Sequence, residues 1–306
     1  MRQIELGKSG LFVPTIAVGC MRINGLDEKK AAAFVQTALE HGANFFDHAD
    51  IYGRGECERI FSRAIGMCPS VREKILLQSK CGIVPGKMFD FSKEHILNSV
   101  DGILQRMGTE YLDVLLLHRP DALVEPEEVA DAFDILKRAG KVRHFGVSNQ
   151  NPMQIQLLEK HLNVPIVANQ LQLSITNATM ISAGINVNME NASAVNRDGG
   201  VLDYCRLKDI TIQPWSPFQY GFFEGVFIRS DKYPALNEKL TEIANRYGVS
   251  ETTIVMAWLL RHPAKFMPIT GTMNKQRLID CIRACEITLT REEWYEIYKS
   301  AWNILP

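Results

Sequence analysis

Eight short apolar runs, each followed by a longer stretch of helical periodicity, recur along the chain without interruption. The strand-like runs are Thr15–Gly19, Asn44–Phe46, Ile75–Ser79, Val114–Leu117, Val142–Val147, Ile166–Asn169, Ile210–Pro214 and Phe266–Thr270. The helical patterns are Lys29–His41, Glu56–Ile65, Lys93–Met107, Glu128–Ala139, Pro152–His161, Leu202–Leu207, Ala235–Tyr247 and Lys275–Cys285. Strands separated by helices must pair in parallel, which leaves an open doubly wound sheet or a closed barrel. Eight units in one uninterrupted chain favour the (β/α)8 TIM barrel. At 306 residues the length would also admit two domains, but no low-complexity tract or charge block marks a linker. A single barrel domain over residues 1–306 is therefore expected.

Local chemistry explains several boundaries. Gly140 and Gly42 follow helical patterns and tolerate the positive φ of a helix C-terminus, and Lys137 and Arg138 suit the last turn before Gly140. Ser92 and Ser250 stand at N-cap positions, with Glu94 and Glu251 behind them. Ahead of the first strand, Gln3–Leu6 and Leu11–Val13 flank Gly7-Lys8-Ser9-Gly10, the signature of a small hairpin that could plug the N-terminal mouth of the barrel. Two connections are long, Gln170–Gly200 and Phe218–Pro234. Both follow strand ends, which places them on the C-terminal face, where barrel active sites are built. The first is expected to shape the pocket. Its stretch Gly184-Ile185-Asn186-Val187-Asn188 reads equally as a flap or a solvated loop.

Composition removes several function classes. Lys and Arg number 34 against 35 Asp and Glu, without the basic surplus a nucleic-acid binder needs. No uncharged apolar stretch reaches the ~20 residues that span a bilayer, and Met1–Leu6 carries acid and base where a signal peptide would need an apolar core. The seven cysteines are scattered without a CxxC pair, which suggests reduced thiols in a cytoplasmic protein and no metal site. The expected partner is a small molecule, and the expected state a monomer.

In a barrel, polar residues that end strands converge on one rim. Asp47 follows Asn44–Phe46, Tyr52 comes five residues later, Lys80 ends Ile75–Ser79, and His118 ends Val114–Leu117. Lys80 beside a phenol favours phenolate and is expected to lower the pKa of Tyr52 from its usual ~10, with Asp47 holding the lysine charged. Such a phenol can protonate an oxygen that gains negative charge. Each residue alone has a plainer reading: a structural ion pair, a packing tyrosine, a satisfied histidine. Their succession over three strands is what points to catalysis.

These residues carry a resemblance. Phe46-Asp47-His48-Ala49-Asp50-Ile51-Tyr52-Gly53, then Lys80, then Leu116-Leu117-His118-Arg119-Pro120-Asp121 resemble the aldo-keto reductase superfamily. The likeness also takes in Leu6–Leu11, Gly19-Cys20-Met21, Gly146-Val147-Ser148-Asn149, Asn169-Gln170, Trp215-Ser216-Pro217 and Gly271-Thr272 through Arg277. It implies an NADP(H)-dependent barrel enzyme that reduces aldehydes or ketones, with Tyr52 as general acid, Lys80 and Asp47 tuning it, and His118 orienting the carbonyl. It further implies that Ser148, Asn149 and Gln170 hold the nicotinamide carboxamide and that Trp215 stacks on the ring. Gly19, Cys20, Met21 and Asp47 would border the cofactor, Ser216, Pro217 and Phe218 would line the diphosphate path, and Gly271, Thr272, Arg277 and Asp280 would meet the adenosine side. The chain has no usable GxGxxG, since Gly53-Arg54-Gly55 runs into Glu58, so a dinucleotide would bind outside a Rossmann unit.

Three positions depart from the pattern. Gly271 stands where relatives often carry lysine, Asp280 is one methylene shorter than the usual acid, and Cys281 replaces a common asparagine. NAD(H) therefore stays possible beside NADP(H). Met21-Arg22 follows the first strand where some members have tryptophan, so their substrates do not transfer. Two other readings remain: a nicotinamide-binding redox-sensing or regulatory subunit with little turnover, and a barrel lyase or isomerase using Tyr52 and His118.

Overall fold

The computed structural model describes all residues 1–306. It opens with the expected hairpin, β1 (Gln3–Glu5) and β2 (Phe12–Pro14), paired antiparallel. The barrel strands follow: β3 (Ala17–Gly19), β4 (Phe45–Asp47), β5 (Leu76–Cys81), β6 (Leu112–Leu117), β7 (Val142–Ser148), β8 (Ile166–Gln172), β9 (Thr211–Trp215) and β10 (Ile269–Thr270). They form one parallel eight-stranded sheet in the order β9-β8-β7-β6-β5-β4-β3-β10. The barrel closes where the Met267 N–H, just before β10, donates to the Ile212 carbonyl at 3.0 Å. The alternation of the sequence thus becomes a (β/α)8 TIM barrel.

Around them run helices α1 (Glu28–Glu40), α2 (Glu56–Ile65), α3 (Lys93–Met107), α4 (Pro126–Arg138), α5 (Pro152–Glu159), α6 (Thr179–Ile185), α7 (Val201–Lys208), α8 (Pro234–Tyr247), α9 (Glu251–Leu260), α10 (Lys275–Arg283) and α11 (Arg291–Ser300), besides a single helical turn at Pro69–Arg72, short 3-10 turns and two small hairpins in the loops. The periodic patterns match α2 and α3 residue for residue. Ser92 caps α3 by accepting from the His95 N–H, and Ser250 caps α9 from the Thr253 N–H. Helix α9 has no counterpart among the predicted helices. Thr253 through Leu259 are all buried, so the segment has no polar face and no 3.6-residue contrast to read. It is clamped to α11 by Trp258 and Trp294, stacked at 4.8 Å with each indole N–H donating to the other's backbone carbonyl.

Strand parity sorts the core into two volumes. Outward residues such as Phe46, Leu77, Leu115, Val147 and Ile212 pack under the helices, whereas Ala17, Phe45, Val114, Leu116 and Ala168 fill the lower barrel interior. Leu6 and Val13 of the hairpin belong to that interior cluster, so the hairpin does plug the N-terminal mouth. Gly7 makes this approach possible: its φ is +58°, its N–H donates to Thr211 Oγ1 at 2.8 Å, and a Cβ there would sit 2.6 Å from the Val167 carbonyl oxygen. Above the apolar layer the interior turns polar, and the site begins there.

Candidate active site

Asp47 is two residues above Phe45 on the inner face of β4, and Lys80 ends the inner face of β5. Both are buried, and Lys80 has no exposed surface. An ammonium in such a place needs every donor satisfied. Its Nζ donates to Asp47 Oδ2 at 2.8 Å, to the His48 carbonyl at 2.7 Å and to Tyr52 Oη at 3.2 Å. Burial works against its charge, but Asp47 and Tyr52 outweigh it and hold the pKa above the ordinary lysine value. Tyr52 opens a short 3-10 turn after β4 that returns the phenol over Lys80.

The electrostatics correct one expectation. Lys80 does pull the Tyr52 pKa down, but burial pushes harder, and the phenol lies above its usual value. His118 follows β6, its ring edge-on to Tyr52 with centroids 6.0 Å apart. Burial, then the charges of Lys80 and Arg119, press its pKa well below the ordinary range, so the imidazole is neutral. Its Nδ1 is buried without a partner, while Nε2 is left to the cavity.

These residues form one end of a long cleft of about 1110 Å³ on the C-terminal face. Gly19, Met21, Asp47, Tyr52, His118, Ser148, Asn149, Gln170, Trp215, Ser216, Pro217 and Phe218 line it, and Gly271, Thr272, Arg277 and Asp280 carry it onward to the start of α10. Ser148 Oγ donates to the Gln170 carbonyl at 3.0 Å, Asn149 Nδ2 to Ser148 Oγ at 2.7 Å, and Trp215 Nε1 to Asn149 Oδ1 at 3.1 Å. This chain fixes the indole over the strand ends. Phe223 stacks beside it, with centroids 5.8 Å apart and planes 23° from parallel. At the far end Asn274 caps α10 by accepting from the Arg277 N–H at 3.0 Å. The Arg277 side chain makes no ion pair, which leaves its guanidinium free for an anion at a helix N-terminus.

Two predicted residues stay out of the cleft wall. Lys80 lies beneath it, covered by Tyr52, to whose Oη it donates. Cys20 faces the core, its thiol 3.7 Å from the Val18 carbonyl, because parity turns it away from the interior that Gly19 borders. The long segment after β8 also behaves differently from expectation. No residue from 171 to 200 borders the cleft. Instead Ser182 Oγ meets Tyr298 Oη at 2.8 Å and buried Asn186 donates to the Ser182 and Ile304 carbonyls, fastening the segment to the C-terminal helix. The stretch Gly184–Asn188 is no flap over the cleft: it ends α6 and turns through solvent, with Gly184, Val187 and Asn188 exposed and Asn186 as its buried anchor. The roof comes from the other long connection, whose small hairpin Gln219–Tyr220 with Gly225–Val226 brings Phe222 and Phe223 over Trp215.

Sequence reasoning passed over Arg22, Arg119, Gln78 and Gln213. Arg22 donates to the Gly271 carbonyl at 3.1 Å, so a guanidinium from the β3 loop occupies the space beside that glycine. Arg119 lines the cleft next to His118 with no acidic partner, its Cζ 5.7 Å from the Trp215 ring centre. Gln78 and Gln213 lie on the inner faces of β5 and β9, two residues below Lys80 and Trp215. A polar residue at an inward parity position was the available signal.

A parallel barrel with a buried carboxylate–ammonium–phenol cluster at one end of a long rim cleft defines a class of small-molecule enzyme. The sequence comparisons say which. The model of the Aldo/keto reductase family matches residues 15–301, and the chain belongs to that family of oxidoreductases. Among relatives, it is 36% identical over 311 residues to YcsN, an uncharacterized oxidoreductase of Bacillus subtilis, covering 97% of each chain. It is 34% identical over 315 residues to a 6-dehydroglucose reductase of Agrobacterium fabrum, covering 98% of each. Among solved structures, a thermostable aldo-keto reductase, Tm1743, crystallised with the inhibitor epalrestat, superposes with a TM-score of 0.78 at 26% identity, covering 98% of this chain and all of that one. No helix is long and apolar enough to cross a membrane.

Proposed function

We propose that this protein reduces an aldehyde or ketone to the alcohol with NADP(H) as cofactor, and that Tyr52 is the general acid. The observation that carries the reading is Lys80, fully buried, bridging Asp47 Oδ2 at 2.8 Å and Tyr52 Oη at 3.2 Å. A reduced nicotinamide supplies hydride when bound. The rest falls to the chain's own groups. The phenol of Tyr52, with its pKa above the ordinary value, carries its proton at neutral pH and gives it up as the carbonyl oxygen becomes negative. The ammonium of Lys80 stabilises the phenolate left behind, and Asp47 keeps that ammonium in place. His118, neutral and with Nε2 open to the cleft, donates an N–H to the same oxygen and orients it.

The cleft residues fit a dinucleotide. Ser148, Asn149 and Gln170 offer donors and an acceptor at the depth of the catalytic cluster, and Trp215 offers a flat face. Ser216 to Phe218 lead toward Thr272 and the unpaired Arg277, where the adenosine-side phosphate would lie. The uncommitted guanidinium favours NADP(H) over NAD(H). The Agrobacterium relative's name directs the first substrate panel to sugar-derived aldehydes, and the unpaired Arg119 beside His118 suits an oxygen-rich substrate.

Replacing Tyr52 by Phe is expected to leave NADPH binding nearly unchanged and to lower the reduction rate at least ~100-fold, the lower end for a lost general acid. Near-normal turnover, followed by NADPH absorbance, would refute the assignment. Arg277→Ala is expected to weaken NADPH by ~10-fold or more and NADH little, since one charge-assisted contact is worth about 1.5–3 kcal/mol. Equal weakening of both in a fluorescence titration would remove its role.

A further inference from the structure

Beneath the Asp47–Lys80 pair lies a closed ring of side-chain amides that the proposed chemistry does not use. Gln78 Nε2 donates to Asp47 Oδ1 at 2.6 Å and to Gln213 Oε1 at 2.9 Å. Gln170 Nε2 donates to the same two acceptors at 3.1 and 3.2 Å. Gln213 Nε2 returns a bond to Gln78 Oε1 at 3.0 Å. Gln78 and Gln213 have no exposed surface, and they come from β5 and β9, on opposite sides of the barrel.

An ionised carboxylate accepts hydrogen bonds and donates none. Asp47, paired with Lys80, therefore dictates which end of Gln78 and Gln170 must face it: the NH2 end in both. Gln78 then has only its carbonyl left, and this turns the NH2 of Gln213 toward it. The Gln213 carbonyl is thereby aimed at Gln170 and takes up the second hydrogen of that amide. Both hydrogens of Gln170 are spent inside the barrel. Its Oε1 alone is without a protein partner and borders the cleft.

We propose that Gln78 and Gln213 are positioning residues that lock Gln170 as a pure hydrogen-bond acceptor, so that the cleft selects a pyridine ring carrying an N–H donor at its carboxamide. The proposal rests on the dinucleotide reading above. Asp47 thus sets two things at once: the charge of the proton-donating cluster above it and the polarity of the group that reads the cofactor ring. Without the Gln213 acceptor, one hydrogen of Gln170 is unpaired in the interior. The amide, then held by Asp47 alone, gains by tilting so that the freed hydrogen reaches the cleft as a donor while the other stays on Asp47 Oδ1.

The test is equilibrium binding by titration calorimetry, without turnover, using NADP+ and its 3-acetylpyridine analogue, which has a methyl ketone in place of the carboxamide and no N–H to donate. The native protein is expected to bind NADP+ at least ~10-fold more tightly, the value of one hydrogen bond to a buried acceptor. In Gln213→Met, similar in length and without the amide, the ratio is expected to fall to about 3-fold or less, mainly through tighter binding of the analogue. Gln78→Met, which releases Gln213, is expected to move the ratio the same way. A ratio unchanged in both folded variants would overturn the proposal, and so would equal affinity for the two ligands in the native protein. Variants that no longer fold would reduce the ring to a structural role and overturn it too. If the native protein binds neither dinucleotide, the cofactor reading itself fails, a result distinct from bound ligands without discrimination.

Discussion

Asp50 is a half-buried acid without a task in the proposed chemistry. Its Oδ1 has no partner, and burial, reinforced by the neighbouring Glu58, raises its pKa to about 7. A carboxyl raised this way keeps its proton in the folded chain at pH values where the unfolded chain, near 3.8, has lost it. The unfolded state then binds fewer protons, so stability falls as pH rises between about 4 and 7 and is level above that. Asp50→Asn is expected to abolish this decline and to stabilise the protein at pH 8 by on the order of 2 kcal/mol, with little effect at pH 4. Thermal melts of both proteins across that range check it, and parallel curves would mean Asp50 is ionised and solvated in the folded state. Tyr52 shows the same physics near the reaction. Because burial outweighs Lys80, the phenol is expected to remain an acid through neutral pH, and the reduction rate should show no alkaline fall from this group below about pH 9.

Among elements, α2 and α3 are joined by one cation. Arg106 of α3 donates from Nε to Glu58 Oε2 of α2 at 2.6 Å, and Glu58, fully buried, also accepts from Ser79 Oγ on β5. The guanidinium reaches Glu58 by passing two glycines: a Cβ at Gly55 would stand 2.6 Å from its Cδ and one at Gly102 2.8 Å from its Nη1. Gly55 also holds φ at +85°. Arg106→Met would strand a buried carboxylate, and the expected loss is about 3–5 kcal/mol. Urea unfolding measures it, and a loss under about 1 kcal/mol would place Glu58 among protonated groups. Strand parity is the element-scale fact that was readable in advance. Asp47, Lys80, His118, Ser148, Gln170 and Trp215 all share the inward parity of their strands, which is why six elements deliver side chains to one rim. The same alternation marks Gln78 and Gln213, which went unnoticed because they lie inside strands and not at their ends. Helix α9 could not be read, since a segment buried on all sides carries no period.

Across the whole molecule, the cleft runs from the Asp47–Lys80–Tyr52 cluster to the start of α10, so a bound dinucleotide would tie the loops after β3, β7, β9 and β10 together. Saturating NADP+ at 100 times its dissociation constant is expected to add about 2.7 kcal/mol of stability. A shift of a few degrees in the melting temperature checks this, and none would argue against binding. The chain is proposed to be one domain, 1–306, and its far-UV and tryptophan signals are expected to be lost in a single coincident transition.

The sequence by itself determined the repeat, the parity of its strands and therefore which residues could meet at the rim, because these follow from local periodicity and from the covalent order of the chain. Only the tertiary structure decided what depends on distance across the barrel. It set the balance of burial against Lys80 at Tyr52, and it placed Phe222 and Phe223 as the roof in place of the segment from 171 to 200. It also closed the amide ring that joins Gln78 to Gln213, residues 135 positions apart. Charge, solvation and hydrogen bonding act over a few ångströms of space, and no pattern along a single chain records which segments those ångströms will separate.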